Sequence, residues 1–415
     1  MSTTARTRDG VGVMRLLLAI SLVVWSGQAL AGEARGHAGR AGDVARRRVI
    51  AAGLQHSLAV DPDGDVWAWG GNDSGQLGNG TYEGNATPVQ LPGLTGLVAV
   101  TTHTLHSLAL RADGSVWAWG NNTFGALGLG MIGQQLTPTQ VPGLSDVVDL
   151  SAGETHSLAV RADGTVWAWG TNDKGQLGAL PDSTYYTPTQ VPGISDVVAV
   201  SAGSSFSLAL RQDGSVWAWG LNNTQQLGVD NTDIDVRAEP APIPGLTKVV
   251  SLSAGVYHAL AARQDGSVWT WGYVNELGGT YYPPFGTTPI QVPGLSDAVA
   301  VTAGTSVSTV SSLALRRDGT VWAWGDNTSG QLGDGTMNYQ SNPVQVVGMK
   351  HAVAVTMGSS HTLALRWDGT FWAWGDNDNG QLGDGTTTQR NTALQVPGLT
   401  SLKAVPTPAP AWGAH

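Results

Sequence analysis

The sequence predicts an all-β ring, a seven-bladed β-propeller of four-stranded antiparallel blades. Three observations predict it. WAWG occurs at 67–70, 117–120, 167–170, 217–220, 322–325 and 372–375, and WTWG at 269–272, so one unit recurs seven times at spacings of 50, 50, 50, 52, 53 and 50 residues. A fixed period of that size marks a repeat architecture and overrides the two or three ordinary domains that 415 residues would suggest. Each unit also carries an Asp-Gly pair before its tryptophans, and four short strand-like runs around it. An open β-solenoid is the rival, but a meander with two tight turns per unit fits a blade better.

The chain begins with the features of a secretory signal. Arg6, Arg8 and Arg15 are basic, LLLAISLVVW at 16–25 is a short apolar core, and ALA at 29–31 is a small-x-small cleavage site with cutting after Ala31. Met14 offers a more compact start for the same signal. The core is too short to span a bilayer, and no later segment is apolar enough. The division is therefore a signal peptide at 1–31, a flexible linker at 32–45, the propeller at 46–405 and a Pro-rich tail at 406–415. The expected location is secreted or periplasmic. Cleavage removes three Arg and one Asp, leaving 18 basic and 30 acidic residues and a net charge of −12. An acidic surface repels phosphate backbones, which argues against a nucleic-acid partner. The one basic run, ARRRV at 45–49, caps the first strand or forms a tail. There is no cysteine, so no disulfide can stiffen an exported protein, and ring closure is the substitute. A monomeric ring is expected.

Residues 145–193 illustrate the unit. DVVDL at 146–150 is strand a, SAGET at 151–155 a turn, and HSLAVRA at 156–162 an alternating strand b. Asp163-Gly164 is read as a two-residue hairpin. TVWAWG at 165–170 is strand c, TNDKGQLG a Gly/Asn-rich loop, and TPTQV at 187–191 a strand d whose proline suits a sheet edge. Side chains alternate along strand c, so Trp117 and Trp119 share one face and Val116 and Ala118 the other. A large face then packs on the small face of the next blade. Each buried indole covers about 150–250 Å², worth roughly 4–6 kcal/mol of gross transfer energy as an upper bound, so the 14 motif tryptophans are read as inter-blade glue. At the ends, LKAV at 402–405 has the pattern of strand a without a blade after it. It is expected to complete the first blade, with Val49 and Ile50 contributing part of the same strand.

The pattern AGxxHSLAL…DGxVWAWGxNxxGQLGDGT resembles the RCC1 repeat of the regulator of chromosome condensation family. LSAGETHSLAV at 150–160 and IAAGLQHSLAV at 50–60 carry it best, and the resemblance covers about 46–405. The pattern's His is His56, His106, His156, His258 and His361, but Phe206 and Ser311 stand there in two units, and His103 replaces the pattern's Gly in the second. A packing role survives such replacement and a catalytic one does not. The resemblance implies a propeller. It also implies guanine-nucleotide exchange and chromatin binding, which a signal peptide and an acidic ring contradict. Secreted bacterial members act instead as binding rings, one of them covering β-lactamase active sites.

No catalytic constellation is present: no P-loop, no Gly-x-Ser-x-Gly and no paired metal-ligand spacing. DNDNGQLGDG at 376–385 resembles a calcium loop but lacks the terminal Glu, and turn chemistry explains it better. The expectation is a non-enzyme without cofactor or metal. Asn-x-Ser/Thr sites such as Asn72, Asn79 and Asn85 matter only in a glycosylating host. Function should lie where repeats differ. The b–c and d–a connections, always Asp-Gly and nearly always Pro-Gly, leave one face; the variable a–b and c–d loops leave the other. Six of the eight tyrosines fall in c–d loops: Tyr82, Tyr185, Tyr186, Tyr281, Tyr282 and Tyr339, with Phe285 beside them. Tyrosine is enriched at binding hot spots. These residues are the candidate contact set for a protein partner. Packing on their own loops is the competing account. The alternatives are a lectin whose loop aromatics stack on sugars, an exchange-type regulator, and an enzyme using Asp230, Asp233 and Asp235.

Overall fold

The computed structural model describes residues 48–399, apart from 182–183, 230–234, 274–284 and 307. Its 28 strands form seven four-stranded antiparallel sheets, each made of consecutive strands, the blades of a β-propeller. In the first blade β1 (Ile50–Ala52), β2 (His56–Val60), β3 (Val66–Gly70) and β4 (Asn85–Gln90) lie in chain order, and six further blades repeat that order through β28 (Arg390–Gln395). Strand a is innermost. Strand d is the outer edge, where Pro88 and its counterparts need supply no ladder N–H.

Small residues make room for the tryptophans. Within the second blade Ser107 lies opposite Trp119 and Ala109 opposite Trp117. The other face of that blade, with Leu108, Leu110, Val116 and Ala118, receives Trp169 from the third blade. The large face does pack on the neighbour's smaller one. The two tryptophans of a motif are not equivalent, however. Trp69, Trp119, Trp169, Trp219, Trp271, Trp324 and Trp374 are fully buried, whereas the first tryptophan of each motif is only half-buried. It sits next to the hairpin, at the rim of the face, packed on the neighbouring blade's cluster but not enclosed by it. An arginine ending strand b lies over it instead, Arg111 at 5.1 Å from the Trp117 centroid and likewise in five more blades. In the first blade Asp61 takes that place and accepts the Trp67 Nε1–H at 3.0 Å. All 14 indoles pack at the blade junctions, but seven are fully buried and seven only half-buried.

The Asp-Gly hairpin also differs from the two-residue reading. Gly114 N–H bonds Arg111 O and Arg111 N–H bonds Ser115 O, both at 2.9 Å, a turn with three residues in its loop. Only the Gly has positive φ, +80° at Gly114; the Asp is free to accept the Ser115 N–H and O–H on Oδ1. A Cβ on Gly114 would lie 2.9 Å from the backbone of Asp146, in the turn that opens the next blade. Val147 N–H bonds Gly114 O there, so the hairpin is docked on its neighbour.

The inner strand of the first blade is Ile50–Ala52, three residues against six elsewhere in that position. The expected strand at 402–405, the signal segment, the linker and the tail lie outside the described residues. The last blade meets the first through His361 and Ser57 at 2.9 Å, Trp69 Nε1–H to Gln381 O at 2.9 Å, and Ser359 N–H to Gly53 O at 3.2 Å. Among the described residues no helix is long and apolar enough to cross a membrane.

Candidate functional site

The repeated histidines stitch the ring. Nε2 of His56, His106, His156, His258 and His361 lies 2.9–3.1 Å from a Ser hydroxyl of the following blade. That hydroxyl donates to a loop carbonyl of the preceding blade, as Ser107 does to Gln76 O at 2.9 Å, and the same carbonyl takes Trp119 Nε1–H at 2.9 Å. The serine is thus an acceptor for the histidine, which fixes the proton on Nε2. Burial drives the pKa of His56, His156 and His361 down to about 3 and that of His106 to about 4, so these rings are neutral. In the fourth blade Phe206 replaces the histidine and packs in one apolar cluster with Ala259, which replaces the serine. These positions hold blades together.

Two of the three acids at 376–385, Asp376 and Asp384, are spent locally. Asp384 accepts from Thr386 and from Arg390 Nη2 at 2.9 Å, and Asp376 from Gln381. The loop character read there as turn chemistry is what those bonds describe.

What remains is the face of the a–b and c–d loops. Of the candidate contact residues, Tyr82 (51% exposed), Tyr186 (43%) and Tyr339 (46%) stand out into solvent. Tyr185 turns inward against the core between the third and fourth blades. Phe285 opens β20 (Phe285–Gln291), and Tyr281 and Tyr282 lie outside the described residues, as do Asp230 and Asp233. Reading tyrosines alone missed Phe124, Met131, Ile132, Leu180 and Met337, all exposed on the same loops. Their signal was in the sequence: residues 121–139 form a c–d segment without a single charge. Loops of adjacent blades touch. Gly130 N–H bonds Tyr186 O at 2.8 Å, and Gln389 Nε2 reaches Met337 Sδ at 3.6 Å. A cleft of about 240 Å³ opens on this face between Tyr257, Tyr273, Thr224, Ser308, Thr309 and Val310.

Charge separates the two faces. Among the described residues, the a–b and c–d loops with the outer strands carry 11 acidic and 3 basic side chains, net −8. The opposite face carries 12 acidic and 9 basic, net −3, its arginines held by pairs such as Arg211–Asp196 at 2.9 Å. That opposite face is less uniform than its turns suggest. Trp367 is 57% exposed beside His351, their rings edge to face at 6.2 Å, and Val347 is 51% exposed.

Comparison with known proteins follows the same lines. A family profile described as the RCC1-like domain matches residues 33–312 and 145–409. The human E3 ubiquitin-protein ligase HERC2 is 33% identical over 133 residues, 30% of this chain but 3% of that protein. The mitochondrial RCC1 domain-containing protein RUG3 of Arabidopsis thaliana is 31% identical over 136 residues, 30% of each chain. Both relatives are therefore matched over much less than their full length. Among solved structures, yeast RCC1 (Prp20), seen bound to Kap60, superposes with a TM-score of 0.71 at 24% identity, covering 82% of this chain and 84% of that one. Human WBSCR16 does so with 0.67 at 25% identity, covering 76% and 85%.

Proposed function

The chain belongs to the RCC1-like domain family, and from that premise we propose that it is an exported, non-enzymatic ring that holds a protein partner on its c–d loop face. The observation that carries the reading is the set of exposed apolar and aromatic side chains there, Tyr82, Phe124, Met131, Ile132, Leu180 and Tyr186, spread over three successive blades. Contiguous exposed apolar surface marks interaction sites. Acidic groups around it favour a partner with a basic rim, since complementary charge speeds encounter and rejects wrong partners. The yeast relative was crystallised with a protein, Kap60, which supports proteins as the ligand class. Export rests on the basic, apolar and small-residue regions of 1–31. The matched part of the human ligase is a small fraction of that protein, which supports a scaffold here and not a ligase. The Tyr257–Tyr273 cleft favours a second reading, since two aromatic rings with three hydroxylated neighbours suit a sugar ring.

The test uses immobilised mature protein and its Phe124→Ala, Tyr186→Ala double variant against the secretome and cell envelope of the native host. We expect a protein retained by the wild type and lost by a variant with unchanged melting. Equal retention by both overturns the face assignment. Binding confined to a glycan array moves the assignment to the cleft.

A further inference from the structure

The inner strands surround an axial cavity of about 170 Å³. At one register position stand Thr101, Ser151, Ser201, Ser253, Thr302 and Thr356, with Ala51 in the first blade. Five of these hydroxyl oxygens accept a backbone N–H from the next inner strand: Thr101 from Ala152 at 3.3 Å, Ser151 from Ala202 at 3.0 Å, Ser201 from Ala254 at 2.9 Å, Ser253 from Ala303 at 3.0 Å and Thr302 from Met357 at 3.4 Å. Their acceptor side is used, while their protons have no acceptor among the described residues. Two one-off residues bound this ring. On the far side, Arg48 donates through Nη2 to Val200 O at 2.7 Å and through Nη1 to Leu150 O. Its Nε lies 3.6 Å from the buried Asp149 carboxylate, so the two charges cancel. Toward the loop face, His103 stands where the other six repeats have glycine. It is 2% exposed, and neither ring nitrogen has a partner among the described residues. Thr305 Oγ1, also lining the cavity, is likewise unpartnered.

We propose that this axial cavity binds a small oxyanion, a carboxylate, phosphate or sulfate, through the hydroxyl ring and His103. Five of these oxygens already accept an N–H and still have their own proton to give, so the wall chiefly offers donors and favours a ligand rich in acceptors. A polyol brings donors as well, and part of its own hydrogen-bonding capacity would go unmatched there. Neutral donors suffice because each O–H···O⁻ bond is charge-assisted. The site lies inside the ring and does not depend on the partner face.

The experiment measures thermal melting of the whole protein in sulfate, phosphate and citrate, against chloride at matched ionic strength and against glycerol. Thr356→Val is the diagnostic variant: it is near isosteric, and among the described residues no backbone N–H donates to that hydroxyl. A saturable rise of roughly 3–4 °C at a hundredfold excess over Kd is expected for an oxyanion only. Affinity should fall about tenfold in Thr356→Val, and a crystal grown in sulfate should show the anion against the hydroxyls. Sulfate and phosphate also stabilise proteins by exclusion from their surfaces. A non-saturating rise equal in wild type and variant therefore overturns the proposal. So does a cavity holding only water, or an anion seen in the crystal without a saturable shift in solution.

Discussion

Two junctions of the ring solve one packing problem in opposite ways. Between the second and third blades His106 meets Ser157 at 3.1 Å, a buried polar pair. Between the fourth and fifth, Phe206 and Ala259 share an apolar cluster at the same positions. Ring and small partner change together. A buried imidazole needs an acceptor, and a buried phenyl needs none, so either pair fits and a mixture does not. The comparison shows that the histidine joins blades and that Phe206 is matched by Ala259 across its junction, whereas Ser311 in the sixth blade turns its hydroxyl to Asp326 O of its own blade at 2.9 Å.

Acid should separate the junctions most. An unfolded histidine takes up its proton near pH 6.5, whereas folded His56, His103, His156 and His361 do so only near 3 and His106 near 4. The unfolded chain thus binds more protons between those limits, and stability is lost as pH falls from about 6.5. Each histidine contributes up to about 1.4 kcal/mol per pH unit in that window. Denaturant melts from pH 7 to 4 should show the loss, and a His106→Phe, Ser157→Ala protein should lose about one histidine's share of the slope. An unchanged slope breaks the comparison.

Mixing the junctions is the next largest effect. Phe206→His should cost about 3–4 kcal/mol, from lost apolar burial and an unpaired imidazole facing Ala259. Adding Ala259→Ser should return about 1–2 kcal/mol, read as a coupling in a double-mutant cycle by equilibrium unfolding. Strict additivity would show that the two positions do not communicate. Ser157→Ala is the smallest test, at roughly 1–2 kcal/mol, since it orphans His106 Nε2–H and releases a bond to Ala126 O.

Most of the ring was legible because a period repeats its evidence. The strand order, the edge prolines and the inequivalence of the two faces all follow from alternation and turn residues in WAWG units. What escaped was set by neighbours. Trp117 and Trp119 are identical in sequence terms, and only the arrangement of the adjacent blade decides which is buried. The Asp-Gly turn is wider than the pair implies because Arg111 and Ser115 close it. At the candidate site, tyrosine alone was an incomplete marker of exposure. Tyr185 points inward while Phe124 and Ile132, in an uncharged loop, point out. The axial hydroxyls were invisible as a set, since Thr101, Ser151 and Ser201 sit in separate repeats and only closure brings them to one level.

One detail of the junctions bears on how such a ring resists unfolding. A loop carbonyl such as Gln76 O is gripped twice by the following blade, through Ser107 and Trp119, and the last blade grips the first in the same manner through Gln381 O. A linear stack frays from its terminal repeats, where one neighbour is missing. A hoop has no terminal repeat. Before any blade can peel away, one complete junction must rupture with nothing yet gained by the chain, so the obstacle to unfolding is a rate and not only an equilibrium. For a protein without a single disulfide, that is a form of durability which exposure to proteases would reward.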